Sequence, residues 1–216
     1  MQVNETWHQQ LGNKHRDDLI AAGKELFLKY GLLQVKIKDV CTKAELSRVT
    51  FYKHFQSMDE LLLAIQMQLI EHLTDEVSRA SMKDINGREQ LRVMLNAWVV
   101  YAQDHPDYIR FIQLFDINYE MYDFSPELRE VYDTFNQKGK EKHFLMGALS
   151  QGIVDGSIKN PSPPLDLALF IFTTMMGMLQ RMVTIRAAQY HSLDMRMTEQ
   201  FVKMLLQFVC SEELPE

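Results

Sequence analysis

Residues 37–55 read Ile-Lys-Asp-Val-Cys-Thr-Lys-Ala-Glu-Leu-Ser-Arg-Val-Thr-Phe-Tyr-Lys-His-Phe, in single letters IKDVCTKAELSRVTFYKHF. The spacing predicts two short helices, 37–44 and 48–55. Val40 and Ala44 are expected to face inward from the first, with Leu46 in the turn between them. Ser47 suits the cap of the second, because its hydroxyl can accept a backbone N–H of the first turn. Val49 and Tyr52 stand three apart on that helix, so one part should pack and another project. Arg48, Thr50, Lys53 and His54 then remain outside, a dense set of donors on little more than two turns. Two short helices at a steep angle, the second carrying donors, fit the major groove of DNA. Arginine pairs with guanine O6 and N7, threonine touches a thymine methyl or a phosphate, and lysine and histidine suit phosphate oxygens. The competing account is a pair of surface helices whose charges are merely solvated.

Outward from this stretch the apolar spacing is helical nearly everywhere. On the N-terminal side, Leu19, Gly23, Leu26, Phe27 and Tyr30 form one face of a first helix, which Gly31 can end. On the other side, Ser57-Met58-Asp59-Glu60 is a Ser-x-x-Glu capping box ahead of the apolar run Leu61–Val77. A further helix starts at Asn86 and must stop near His105, because Pro106 disfavours helix in the residue before it. Pro106 opens a sixth helix to about Tyr122, and Ser125-Pro126-Glu127 opens a seventh to about Asp155-Gly156. The stretch 156–164, GSIKNPSPP, is a loop, and two last helices cover about 165–190 and 194–213. The expectation is an all-α chain of nine helices.

The bulk charge of −6 is unevenly distributed. Residues 1–56 hold nine Lys/Arg against six acids, while the remainder holds 14 against 23. A basic segment on an acidic body suits a DNA reader with a separate second domain. The N-terminus lacks the apolar core of a signal peptide, and the apolar stretch Leu165–Leu179 is short for a bilayer span, so no membrane association is expected. Cys41 and Cys210 lie far apart without metal-ligand spacing, and a cytoplasmic location with reduced thiols is expected. The seven histidines are scattered, and there is no phosphate loop or nucleophile elbow. No catalytic set, metal site or cofactor is expected.

From Ile20 to Leu63 the sequence resembles the DNA-binding domain of the tetracycline-repressor (TetR) family. The signs are Ala22 with Leu26-Phe27, Tyr30-Gly31, Ile37, Asp39-Val40, Ala44, Leu46-Ser47, Thr50, Tyr52, His54-Phe55 and Ser57 through Leu61. Several positions depart: Glu45 and Val49 stand where glycine is usual or frequent, Val35 where threonine is frequent, and Met58 where a phosphate-gripping lysine often stands. Cys41 replaces a small apolar residue and reads as a structural thiol. The resemblance implies DNA contact by Thr50, Tyr52 and His54, with Arg48 at a commonly basic position. Ser47, Lys38, Lys53 and, more weakly, Lys36 complete the set. It also implies that Tyr52 reaches phosphate with its hydroxyl while its ring packs. The division expected is a three-helix helix-turn-helix DNA-binding domain, 1–56, and a larger helical effector-binding and dimerisation domain, 57–216.

In that second domain Tyr108, Phe111, Phe115, Tyr119 and Tyr122 recur at three- and four-residue steps, an aromatic stripe. Core packing explains such a stripe; the alternative is a pocket for a small apolar or aromatic effector lined by Trp98, Tyr101, Phe111, Phe115 and Tyr119. Met175, Met176, Met178 and Met182 cluster further on, with Met175 and Met178 as pocket candidates. The resemblance implies that effector entry releases DNA, and that the last two helices form a two-fold homodimer whose operator is near-palindromic. A repressor released by an effector is the expectation. Two alternatives are a regulator of the same fold controlled by a protein partner or by abundance, and a helical carrier or enzyme.

Overall fold

The computed structural model describes residues 2–32, 34–82, 84–184 and 191–212. Its helices are α1 (Gln2–Tyr30), α2 (Ile37–Lys43), α3 (Arg48–His54), α4 (Met58–Arg79), α5 (Gly87–Asp104), α6 (Pro106–Ile117), α7 (Pro126–Glu141), α8 (Met146–Val154), α9 (Pro164–Thr184) and α10 (His191–Cys210). A 3₁₀ turn, Tyr119–Met121, follows α6. The all-α architecture holds, and the nine expected segments are present among the described residues, the seventh broken into α7 and α8. The break has a local cause. Lys142 closes the last turn on the Lys138 carbonyl at 3.0 Å. The Leu145 amide then donates to His143 Nδ1 at 3.3 Å instead of continuing the helix. His143 and Leu145 are both buried, and residues two apart cannot share one helical face. Residues 185–190, to which the penultimate helix was expected to extend, lie outside the described residues.

Several ends follow the sequence signals. Gly31 adopts φ +85° and donates to the Phe27 carbonyl at 2.8 Å, ending α1. Asn86 caps α5, accepting the Glu89 amide at 2.9 Å. Ser57 Oγ accepts the Glu60 amide at 3.1 Å, and the Glu60 carboxylate turns back to the Gln56 amide. One expectation changes: Tyr30, grouped with the Leu19–Phe27 face of α1, is exposed.

The chain divides into two compact units. The first comprises Met1–Leu69 and Phe111–Tyr132, the second Ile70–Arg110 and Asp133–Glu216. In the first, Leu19, Ile20 and Phe27 of α1, Val40 of α2, Phe51 of α3, Phe55 just after it, and Leu61 and Ile65 of α4 are buried. Gly23 makes room for α4, since a Cβ there would come within 2.9 Å of the Leu61 side chain. In the second unit α5 lies against α8 at backbone distance. A Cβ on Gly87 would stand 2.0 Å from the Gly152 nitrogen, and the Gly87 amide donates to the Asp155 carboxylate at 2.8 Å. The loop before α9 is tied to α10 by the Lys159 and Asn160 amides, which donate to the Val209 carbonyl at 3.0 and 3.1 Å. By length and composition alone α9, at 21 residues, could cross a membrane, a longer span than the sequence suggested. One of its stripes, Leu167, Ala168, Ile171, Met175 and Leu179, is buried within the chain.

Candidate nucleic-acid interface

The turn between α2 and α3 is built from backbone bonds. The Glu45 amide donates to the Thr42 carbonyl at 3.3 Å and the Leu46 amide to the Cys41 carbonyl at 2.9 Å. This pair of bonds is the Schellman ending of a helix, which requires a left-handed residue where Glu45 stands. Glu45 adopts φ +55° and carries the strain that glycine would avoid. Ser47 then caps α3, its Oγ accepting the Thr50 amide at 3.0 Å and lying 2.9 Å from the Thr50 hydroxyl. At the start of α2 the Lys36 amide donates to the Asp39 carboxylate at 2.9 Å.

The packed and projecting faces of α3 differ from the expectation. Phe51, fully buried, and Phe55 just beyond the helix anchor it, their rings 5.8 Å apart. Val49 and Tyr52, expected to pack, are 68% and 57% exposed. The 3.6-residue period puts positions 51 and 55 on one face and 49 and 53 on the opposite one, with Tyr52 at the flank between them. The Tyr52 ring meets Phe51 edge-on at 5.5 Å, so its base is held while its body projects. Arg48, Val49, Tyr52 and Lys53 are exposed together, while Thr50 and His54 are half-buried at the margins.

Ser47, Lys36 and Lys38 are exposed as well. Among the described residues no hydrogen bond or ion pair engages the side chains of Lys36, Lys38, Arg48 or Lys53; Lys43 instead pairs with Glu25 at 2.7 Å. These cations are free to meet phosphate. Sequence reasoning missed the contribution of α1. His15 lies 6.4 Å from the His54 ring, and the Arg16 guanidinium stands over the Phe55 ring at 5.3 Å. Burial, then His15, Arg16 and Lys53, push the His54 imidazole below its ordinary pKa, as expected in a cationic patch. Burial pushes the Cys41 thiol up, although Arg48 nearby opposes it, and Cys41 is buried.

Residues 19–65 match the family model for bacterial regulatory proteins of the tetR family. This match covers under a quarter of the chain, the stretch from α1 to the start of α4. The matched stretch is the one that contains α2, the Glu45 turn and α3. Over 100 residues it is 25% identical to the HTH-type transcriptional activator FasR of Mycolicibacterium smegmatis, covering 46% of each chain. The match thus spans under half the length of that curated relative. Two solved structures share the fold. A tetR-family regulatory protein from Rhodococcus RHA1 has a TM-score of 0.66 at 19% identity, over 91% of this chain and 97% of that one. FadR of Bacillus subtilis, solved with stearoyl-CoA, has 0.62 at 15%, over 91% and 98%.

The effector-pocket candidates fall into separate groups, one in each unit. In the first unit, Phe111 pairs with Phe27 at 6.3 Å. Phe115 and Tyr119 join a cluster with Tyr122, Phe124 and Tyr132. In the second unit, Trp98 is fully buried, 5.4 Å from each of Phe144 and Phe172, and its indole N–H has no partner among the described residues. Tyr101 donates to or accepts from His72 Nδ1 at 3.0 Å, and burial holds its hydroxyl well above the usual range. Met175 is buried and Met178 half-buried on α9.

Proposed function

We propose that the protein is a repressor that binds a near-palindromic operator as a homodimer and leaves it when a small apolar or aromatic effector enters. The observation that carries the DNA-binding part is the joint exposure of Arg48, Val49, Tyr52 and Lys53 on α3, which Phe51 and Phe55 anchor from within. Arg48 reads a base edge, and Val49 suits a thymine methyl. Thr50, held by Ser47, touches a thymine methyl or phosphate; Tyr52, Lys53, His54, Lys36 and Lys38 take phosphates. The division into a DNA-binding domain, 1–56, and an effector and dimer domain, 57–216, belongs to this proposal, as does a cytoplasmic location.

Two further observations support the rest. Leu165 and Phe170 on α9 and Met197 and Met204 on α10 are large, apolar and exposed, as a two-fold interface through these helices requires. The unpartnered, buried indole N–H of Trp98 suits a pocket in the second unit to which Trp98, Tyr101, Met175 and Met178 contribute. FadR, of the same fold, was solved with an acyl-CoA bound, which favours an apolar effector here.

The test is salt-dependent binding to the DNA flanking the protein's own gene. Lys53→Ala should weaken all sequences alike and reduce the salt slope by about one unit. Phe170→Glu should yield a monomer by light scattering and abolish tight operator binding. An unchanged salt slope or a dimeric Phe170→Glu variant would count against the respective part.

A further inference from the structure

The first unit holds a group of polar atoms that its packing does not explain. Gln66, on α4, is fully buried inside the apolar run of that helix. Its Nε2 donates to Asp116 Oδ1 at 3.1 Å. Because a carboxylate only accepts, that contact fixes which end of the amide donates, and Gln66 Oε1 has no partner among the described residues. The Tyr122 hydroxyl is a second orphan, on a side chain 7% exposed. Burial pushes it up to about 12, with Asp59 and Asp116 near enough to add to the shift. Buried polar atoms in native cores find partners, so two orphans around one carboxylate point to a ligand.

Asp116 itself is accessible to solvent, yet surrounding protein desolvates its carboxyl and holds it at about 6. No cationic side chain pairs with it or with Asp59 among the described residues; Asp59 accepts only the Asp123 amide, at 2.9 Å. Beside these groups stand the rings of Phe115, Tyr119, Tyr122 and Tyr132. Phe115 lies 5.1 Å from Tyr122 and 5.8 Å from Tyr132, and Tyr119 lies 5.5 Å from Tyr132. Aromatic faces attract cations, and an unpaired carboxylate does so more strongly.

We propose that Asp116, Gln66 and Tyr122, beside the Phe115–Tyr119–Tyr132 rings, bind a protonated amine carried on an aromatic body. The ammonium N–H groups would donate to the Asp116 carboxylate, Gln66 Oε1 and the Tyr122 oxygen, and the apolar body would lie against the rings. A quaternary ammonium lacks N–H donors and would leave the orphans unmet. This site deepens effector control as proposed above and rests on it, replacing an uncharged ligand by a cationic one.

The probes are 2-phenylethylamine and its uncharged counterpart 2-phenylethanol, titrated calorimetrically into the full-length protein. The wild type should bind the amine at least about tenfold tighter, the value of one charge-assisted contact. Asp116→Asn keeps an acceptor for Gln66 and should erase that preference; Tyr122→Phe should weaken the amine several-fold while leaving the alcohol unchanged. Equal affinities in the wild type, no binding of the amine, or a preference that survives Asp116→Asn would overturn the proposal. Release of bound DNA is read in parallel with the amine and with naphthalene and 1-decanol. Release by the uncharged ligands with no binding of the amine sinks the amine site alone. An Asp116-dependent preference without DNA release by any ligand sinks effector control alone.

Discussion

Replacing Glu45 by glycine should make the protein more stable, although it removes a side chain. Glu45 is held at φ +55° because the Schellman bonds from its own amide and that of Leu46 fix a left-handed residue there. For an L-residue the left-handed region costs about 1–2 kcal/mol. The Glu45 side chain is exposed and makes no hydrogen bond or ion pair among the described residues, so its loss removes little else. Glycine gives back about 0.4–1 kcal/mol through the greater freedom of the unfolded chain. The expected net gain is about 0.5–1 kcal/mol, which for a chain of this size raises Tm by roughly 1–4 °C. Ala44, one residue earlier, has φ −79°, so Ala44→Gly lacks any strain to relieve and should lose about 0.5–1 kcal/mol. Thermal unfolding of the two variants beside the wild type should give shifts of opposite sign. A lower Tm for Glu45→Gly, or equal shifts for both, would refute the argument that this turn is strained.

Other predictions concern α3 and the buried histidine. Phe51→Ala should cost about 3–5 kcal/mol in urea unfolding, whereas Tyr52→Ala should stay within about 0.5 kcal/mol and yet lose DNA affinity in a gel shift. Ser47→Ala removes the acceptor of the Thr50 amide and should cost about 1 kcal/mol, seen as a lower urea midpoint. Burial pushes His143 down to about 4, so between that value and the ordinary 6.5 the unfolded chain binds a proton that the folded one refuses. Stability contributed by the neutral ring is therefore complete above about pH 6.5 and falls with pH by up to about 1.4 kcal/mol per unit. His143→Gln should flatten the drop in urea midpoint between pH 7.5 and pH 5.

The fold was legible where a residue type has one job. Ser47, Gly31, Asn86 and Pro106 each mark a helix end by hydrogen-bonding capacity or backbone freedom, and each acts there. The facing of α3 was not. A helix of seven residues makes two turns, and with Val49, Phe51, Tyr52 and Phe55 all apolar its pattern allows either side to pack. Tertiary contact decided for Phe51 and Phe55. The N-terminal part of α1 was missed because its polar residues carry no apolar stripe. The break after Glu141 was missed because His143, whose ring accepts the Leu145 amide, reads as helix-compatible. At the candidate amine site the aromatic stripe was visible, but Gln66 and Asp116 meet 50 residues apart in sequence. Only the packing of α4 against the end of α6 brings them together.

The central claim is that the exposed side of α3 reads base edges, and the specificity ratio of Arg48→Ala tests it most directly. The ratio is the Kd for scrambled DNA over the Kd for DNA flanking the protein's own gene, measured at one salt concentration for variant and wild type. The account predicts that Arg48→Ala lowers this ratio by about tenfold or more, chiefly by weakening the matched sequence. An equal ratio in the two proteins would contradict it.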